Sequence, residues 1–488
     1  MKKTIAFLIS VLMIVGMLPI MSFAVEAPVT DTVWWGYDEP NHAFYLAASE
    51  DKVSAFSQSG SFDSTTVFTS SYDQPWSSFS YYVKEASVLD EIAPGSTAYW
   101  FAGFQNCESI DFAKINTVNA TSFKFMFLNC GMVETLDVSG FETPALTDMS
   151  GMFSGCAKIT TVDISGFDTS DVTDMSHLFT GCRGLKKFVF PKLDQSKNTS
   201  LYSMFESCSG LEYVDITNID SSNVTDFRYM FNFCVALKEI KGISKLDTSK
   251  AENLGYMFNY CQSLKELDLS NFDISNVTYM TGFIDSCNTL ASIDLSGFDL
   301  KNKDIRIFDS YLGSVGKLQA IKAPVNYNYD INLFYKTNWV DEDGNTYTVI
   351  PKGLDYSRTY FRTDIPRKVS FDSNGGSGEM EAVTIEYDNG FRFSIPEVQF
   401  TAPEGKEFKG WALSADGDII TDEQISMTTD VTLYAVWSDI TPEPHHNDGR
   451  CKNPVSGICH TYNNNLHTPV LNIILALVHA IVHLFHLI

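Results

Sequence analysis

Eight cysteines recur along the chain, at Cys107, Cys130, Cys156, Cys182, Cys208, Cys234, Cys261 and Cys287, separated by 23, 26, 26, 26, 26, 27 and 26 residues. A thiol can serve as nucleophile, redox couple or metal ligand. Zinc sites pair their ligands at short, CxxC-like separations, which one cysteine per 26 residues does not provide. Disulfides between successive units need Cα separations below about 7 Å. Cysteine is also a small, commonly buried side chain, so free thiols filling a core are the expectation. Cys451 and Cys459 differ: they flank a short loop with Pro454 and Gly457, and are the disulfide candidate. His460 and His467 lie nearby, but the spacing matches no standard zinc pattern.

Five aspartates, Asp137, Asp163, Asp215, Asp268 and Asp294, fall at equivalent positions of successive units. Stacked side by side they form an acidic stripe, interrupted by Val189 and Lys241, and they are the candidate binding residues. The stripe suits a basic ligand, or else a solvated surface with each Asp bonded to a neighbouring Ser or Thr. Catalysis has little to draw on. Of nine histidines, only His42 and His177 precede His445, and there is no nucleophile elbow, phosphate loop or HExxH. No catalytic residue, metal site or cofactor is expected.

The elements that carry these residues follow from the period. Residues 149–175 read MSGMFSGCAKITTVDISGFDTSDVTDM, and 254–280 read LGYMFNYCQSLKELDLSNFDISNVTYM. Met149, Met152, Phe153 and Cys156 fall at i, i+3, i+4 and i+7, which predicts one face of an amphipathic helix. Thr147-Asp148, Thr173-Asp174 and Thr225-Asp226 stand where its N-cap would be. Val162-Asp163-Ile164-Ser165, Leu267-Asp268-Leu269-Ser270 and Ile293-Asp294-Leu295-Ser296 alternate as half-buried strands do. Turn residues follow, with Phe167, Phe272 and Phe298 pointing to the core. Such a unit buries its apolar face only by stacking, with strands about 4.8 Å apart. The expected fold is an α/β repeat solenoid, a parallel sheet plus helices, over 101–310. β-rich caps are expected at 25–100 and 311–365.

The MFxxC…LxxLDLSxFDTSxVTxM unit resembles the BspA-type leucine-rich repeat surface proteins of bacteria, also called the mycoplasma-lipoprotein-type repeat. Trp339, Asp341, Asp343 and Pro351 resemble that family's terminal unit. The resemblance implies cell-surface display and adhesion. Residues 366–437, with Asn374-Gly375-Gly376, Phe408-Lys409-Gly410-Trp411 and Leu433 to Trp437, resemble the Listeria–Bacteroides (internalin B-repeat-like) module. That likeness implies a small, mostly-β, grasp-like domain. In a module of this size Trp411 and Trp437 read as buried core residues, with sugar platforms as the alternative.

The flanks indicate compartment. Lys2 and Lys3, an apolar run to Ile20 and Ser22-Phe23-Ala24 read as a signal peptide over 1–24. Residues 438–468 form a linker with the Cys pair, and 469–488 an apolar tail long enough to span a bilayer. Its Asn472, His479, His483 and His486 share one helical stripe, so the tail spans the membrane or lies on it. A net charge of −26 disfavours nucleic acid and anionic lipid as partners. The expected protein is an exported, non-enzymatic surface protein. It binds an extracellular protein through the repeats, or a glycan through Trp34, Trp35, Tyr37, Trp76, Tyr81 and Tyr82, or acts architecturally.

Overall fold

The computed structural model describes residues 32–301, 317–328, 330, 338–352, 356–387, 391–427 and 429–440. The expected signal peptide over 1–24 and the apolar stretch over 469–488, with Cys451 and Cys459, lie outside the described residues.

Four strands precede the repeats: β1 (Thr32–Asp38), β2 (Ala43–Ala47), β3 (Gln58–Asp63) and β4 (Glu85–Val88). They join β5 (Ser109–Asp111), the first repeat strand, in a sheet ordered β3-β1-β2-β4-β5. The pairings of β1 are antiparallel, and β2 to β4 to β5 run parallel. The inward residues of this sheet, with Trp76, Phe79 and Trp100, merge with the apolar core of the repeats. The first rung is thereby covered by the aromatic-rich segment.

Two further parallel ladders lie within the repeats. One is β6 (Lys187–Val189), β7 (Tyr213–Asp215) and β8 (Glu239–Lys241). The other is β9 (Glu266–Asp268), β10 (Ser292–Asp294) and β11 (Ala320–Lys322). Strands β12 (Trp339–Asp341), β13 (Thr346–Tyr347) and β14 (Thr359–Arg362) add antiparallel to β11, giving the order β13-β12-β14-β11-β10-β9. Asp341 ties this end together. It accepts hydrogen bonds from Asp343 N at 3.0 Å, Asn345 N at 2.9 Å and Tyr347 Oη at 2.9 Å, and from Arg358. Burial alone would raise its carboxyl pKa. The bonds from Asn345, Tyr347 and Arg358 outweigh burial and hold it at about 2.

The expected α/β solenoid, a single parallel sheet backed by helices, is not what the repeats build. No α-helix occurs among the described residues, and the parallel strands fall into separate short sheets. Residues 135–137 and 161–163 are not in strand at all. The segment read as a helix is instead two consecutive four-residue turns. Met152 N donates to Met149 O at 3.3 Å and Cys156 N to Phe153 O at 3.1 Å, and the third residues, Gly151 and Gly155, have φ of +61° and +75°. A positive φ at the third position is the type II turn arrangement. Every rung repeats it, at Phe125/Asn129, His177/Gly181, Ser203/Ser207, Tyr229/Phe233 and Tyr256/Tyr260 among others.

The physical reason is an ambiguity of spacing. Two four-residue turns with apolar first and last positions also place apolar residues at i, i+3, i+4 and i+7. Two left-handed residues in eight rule out a right-handed helix. They turn alternate N–H groups toward the next rung, as in Phe179 N to Met204 O (2.9 Å), Gly181 N to Glu206 O (2.7 Å) and Phe205 N to Met230 O (2.9 Å). The expected N-caps close turns instead: Asp148 Oδ1 accepts Ser150 N at 2.9 Å and Asp174 Oδ1 accepts Ser176 N at 2.8 Å.

Inside the stack, Phe101, Phe127, Phe153, Phe179, Phe205, Phe231 and Phe258 form a ring ladder with centroids 5.6–6.1 Å apart. Phe167, Phe272 and Phe298 are buried as expected.

The last module has β15 (Arg367–Asp372), β16 (Val383–Ile385), β17 (Arg392–Ser394), β18 (Lys406–Ala412), β19 (Gln424–Ser426) and β20 (Val431–Asp439). A mixed sheet, β16-β15-β20-β18, accompanies a two-stranded ribbon, β17-β19. No helix completes a grasp-like domain among its described residues. Its core is separate from that of the repeats and contains Val369, Phe391, Trp411 and Leu433. Buried Arg367 donates to Gln319 O at 2.9 Å, and Thr429 Oγ1 to Glu266 Oε1 at 2.6 Å. Residues 404–407 and 438–440 belong to a unit of their own, in which Ile440 N donates to Gly405 O at 3.0 Å.

Candidate functional site

The strand side carries the five aspartates. Register aligns Val189, Asp215 and Lys241 on one ladder, and Asp268, Asp294 and Lys322 on the next. Each carboxylate is engaged locally. Asp137, Asp163, Asp215, Asp268 and Asp294 accept the N–H two residues on, at 3.1, 2.9, 2.9, 3.0 and 2.8 Å. The hydroxyls of Ser139 and Ser165 hold the Asp137 and Asp163 carboxyls below the ordinary range. At Asp215, burial works upward and is outweighed by bonds from Thr217 and Lys241. Lys241 Nζ lies 3.4 Å from Asp215 and Lys322 Nζ 3.2 Å from Asp294, so two of the five are neutralised by the next rung. The depressions over Asp137/Asp163 and Asp268/Asp294 hold about 200 and 240 Å³, less than small-molecule sites usually offer. The stripe therefore pins the corners of the rungs and leaves Asp137, Asp163 and Asp268 with solvent-facing charge.

The proposed sugar platforms divide. Trp35, Tyr37 and Trp76 are core residues, with Tyr37 stacked on Phe79 at 4.3 Å. Trp34 is half-buried, and Tyr81 and Tyr82 are exposed. Trp411 Nε1 donates to Pro396 O and Trp437 Nε1 to Ser373 O, each at 2.8 Å, which marks both as structural.

The eight repeat thiols are free and buried. Seven of them donate to the carbonyl of a Phe in the preceding rung, as Cys208 Sγ does to Phe179 O at 3.0 Å. Burial pushes Cys156, Cys208 and Cys287 up to about 12, so they stay protonated and unreactive at neutral pH. Among the described residues no group of three His, Cys, Asp or Glu could hold a metal ion, and no helix is long and apolar enough to cross a membrane.

The turn side carries what sequence reasoning missed. His177, Tyr202, Tyr229, Tyr256 and Tyr279 follow one another over successive rungs. Tyr202 and Tyr229 are 5.8 Å apart, and Tyr229 and Tyr256 lie parallel at 5.2 Å. Beside them Phe233 and Tyr260 stack at 4.5 Å, with 42% and 37% of their surface exposed. Both have left-handed backbone, φ +59° and +60°, at a position where other rungs place Gly103, Gly155 and Gly181. A side chain there costs about 1–2 kcal/mol. The stacked pair recovers only about 0.5–1.5 kcal/mol. Between the two aromatic rows runs a polar line: Asn259 Nδ2 donates to Asn232 Oδ1, and Asn232 Nδ2 to Glu206 Oε1, each at 2.9 Å. The available signal was glycine. Gly151 and Gly155, four residues apart inside a supposed helix, mark turns whose third position varies freely outward.

Residues 96–211 and 199–311 match the family described as Mycoplasma protein of unknown function, DUF285. Residues 368–436 match the Listeria-Bacteroides repeat domain, so both resemblances read from the motifs hold. No curated protein matches the chain. Among solved structures, a leucine-rich repeat protein from Eubacterium ventriosum aligns at 12% identity over 60% of this chain and 93% of its own, with a TM-score of 0.23.

Proposed function

We propose that this protein works without catalysis at the cell surface, adhering to extracellular protein through an accessible side of its DUF285 repeats. The observation that carries the reading is the aromatic row on the turn side, repeated over successive rungs and partly exposed. Large exposed aromatic patches are more often contact surfaces than accidents. Backbone groups of the rungs are paired with one another, which leaves the outward side chains to choose a partner. The leader over 1–24 and the apolar tail over 469–488 fit export and retention at the envelope.

The test uses the full chain expressed with its own N-terminus in a bacterial host. Antibody should label intact cells, and those cells should adhere to immobilised extracellular proteins. Signal confined to the cytoplasmic fraction, or adhesion no greater than in cells lacking the chain, would refute the reading. A carbohydrate reading keeps one observation, the exposed pair Tyr81 and Tyr82, and binding to a glycan array abolished by Tyr81→Ala with Tyr82→Ala would favour it.

A further inference from the structure

We infer that the turn-side surface around Phe233 and Tyr260 is a docking site for a basic, extended protein segment, whose Lys or Arg side chains seat on the two ring faces. This deepens the adhesion reading and depends on it. Phe233 and Tyr260 stack nearly parallel, 12° apart, so each ring has one face turned to its partner and one turned away. The equivalent positions of the flanking rungs are Ser207 and Ser286, side chains too small to cover a ring. The outward faces are thus left to solvent, in keeping with the exposure of both rings.

Each flanking serine is preceded by an acidic residue in its own rung. Glu206 precedes Ser207 in the rung facing Phe233, and Asp285 precedes Ser286 in the rung facing Tyr260. Asn232 and Asn259 fill the two positions between them in the same row. An aromatic face with a carboxylate beside it is the chemistry that holds a guanidinium or ammonium group. The surface already holds one: Arg228 sits 4.9 Å from the Tyr202 ring centroid and pairs with Asp226 at 2.6 Å. The net charge of −26 steers a basic partner toward the chain. Ser207 to Ser286 spans three rungs, roughly 14 Å at the strand spacing, which an extended peptide covers in about four residues. The partner is therefore a segment with basic residues about four apart. The aromatic side chains occupy left-handed backbone where glycine would be less strained, and two isolated exposed rings give the fold little in return.

The test measures fluorescence anisotropy of the full chain with a serine peptide carrying arginine at every fourth position. Controls carry glutamine in place of arginine, or the same arginines side by side. The spaced-arginine peptide should bind best. Phe233→Gly with Tyr260→Gly leaves the charge unchanged and restores the residue other rungs use, so the melting temperature should not fall. Affinity should drop by about fivefold or more, the loss of two exposed cation–π contacts. Glu206→Gln with Asp285→Asn should weaken binding as well. Equal affinity of the glycine variant, no binding by the parent chain, or a glycan bound there in place of the peptide would overturn the proposal. Cell adhesion that survives in the glycine variant would overturn this site and leave the adhesion reading intact. Absence of adhesion in the parent chain would sink that reading itself.

Discussion

The turn side and the strand side of the repeats are made of the same 26-residue units but are held in different ways. On the turn side the backbone ladder passes from rung to rung through N–H groups aimed by left-handed residues, and a continuous ring ladder lies beneath it. On the strand side the ladder breaks at residues 135–137 and 161–163, and aspartates close the corners one rung at a time. Regularity in the sequence is equal on both sides. Regularity in the hydrogen bonding is not, because a three-residue strand exchanges few bonds, whereas the double turn aims up to four alternate N–H groups at the next rung. A repeated charged residue can therefore carry a structural role, while a variable aromatic position on the more regular side is free to carry function.

The contrast can be attacked where it is strongest. Phe205→Ala removes one ring from the middle of the ladder and should cost about 3–5 kcal/mol, read as a lowered denaturation midpoint. A loss below about 1 kcal/mol would show that the turn side is not the rigid one. Next in size is acid sensitivity at the end of the strand side. The Asp341 pKa is depressed from 3.8 to about 2 in the folded chain, so its stabilisation is present above pH 4 and is lost as pH falls toward 2. The linked loss is about 2 kcal/mol. Asp341→Asn should flatten that part of the stability–pH curve, and an unchanged acid limb would show that the cap is held otherwise.

Smaller effects compare glycines. Gly151, with φ +61°, has the Phe125 ring 2.0 Å from where a Cβ would sit, so Gly151→Ala should destabilise by about 1–2 kcal/mol. Gly166, on the turn after the strand position, has nothing within 4 Å, and Gly166→Ala should change the melting temperature by less than about 2 °C. Equal responses at the two glycines would erase the distinction between the sides.

Much of the core was legible. Met149, Met152, Phe153 and Cys156 are all buried, as their spacing indicated, and the free state of the repeat thiols agrees with their wide separation. The conformation was not legible, because the same spacing serves a helix and a pair of four-residue turns. The aromatic row escaped notice because His177, Tyr229 and Tyr256 share a position with Gly151, so no single residue type repeats there.

The sequence by itself determined the period, the identity of the buried residues and the two repeat families, since these depend on which side chains recur and how often. Only the tertiary structure decided helix against turn, and which side of the rung remains open. The partner of every second turn-side N–H lies 25 or 26 residues away in the next rung, beyond the reach of any local pattern.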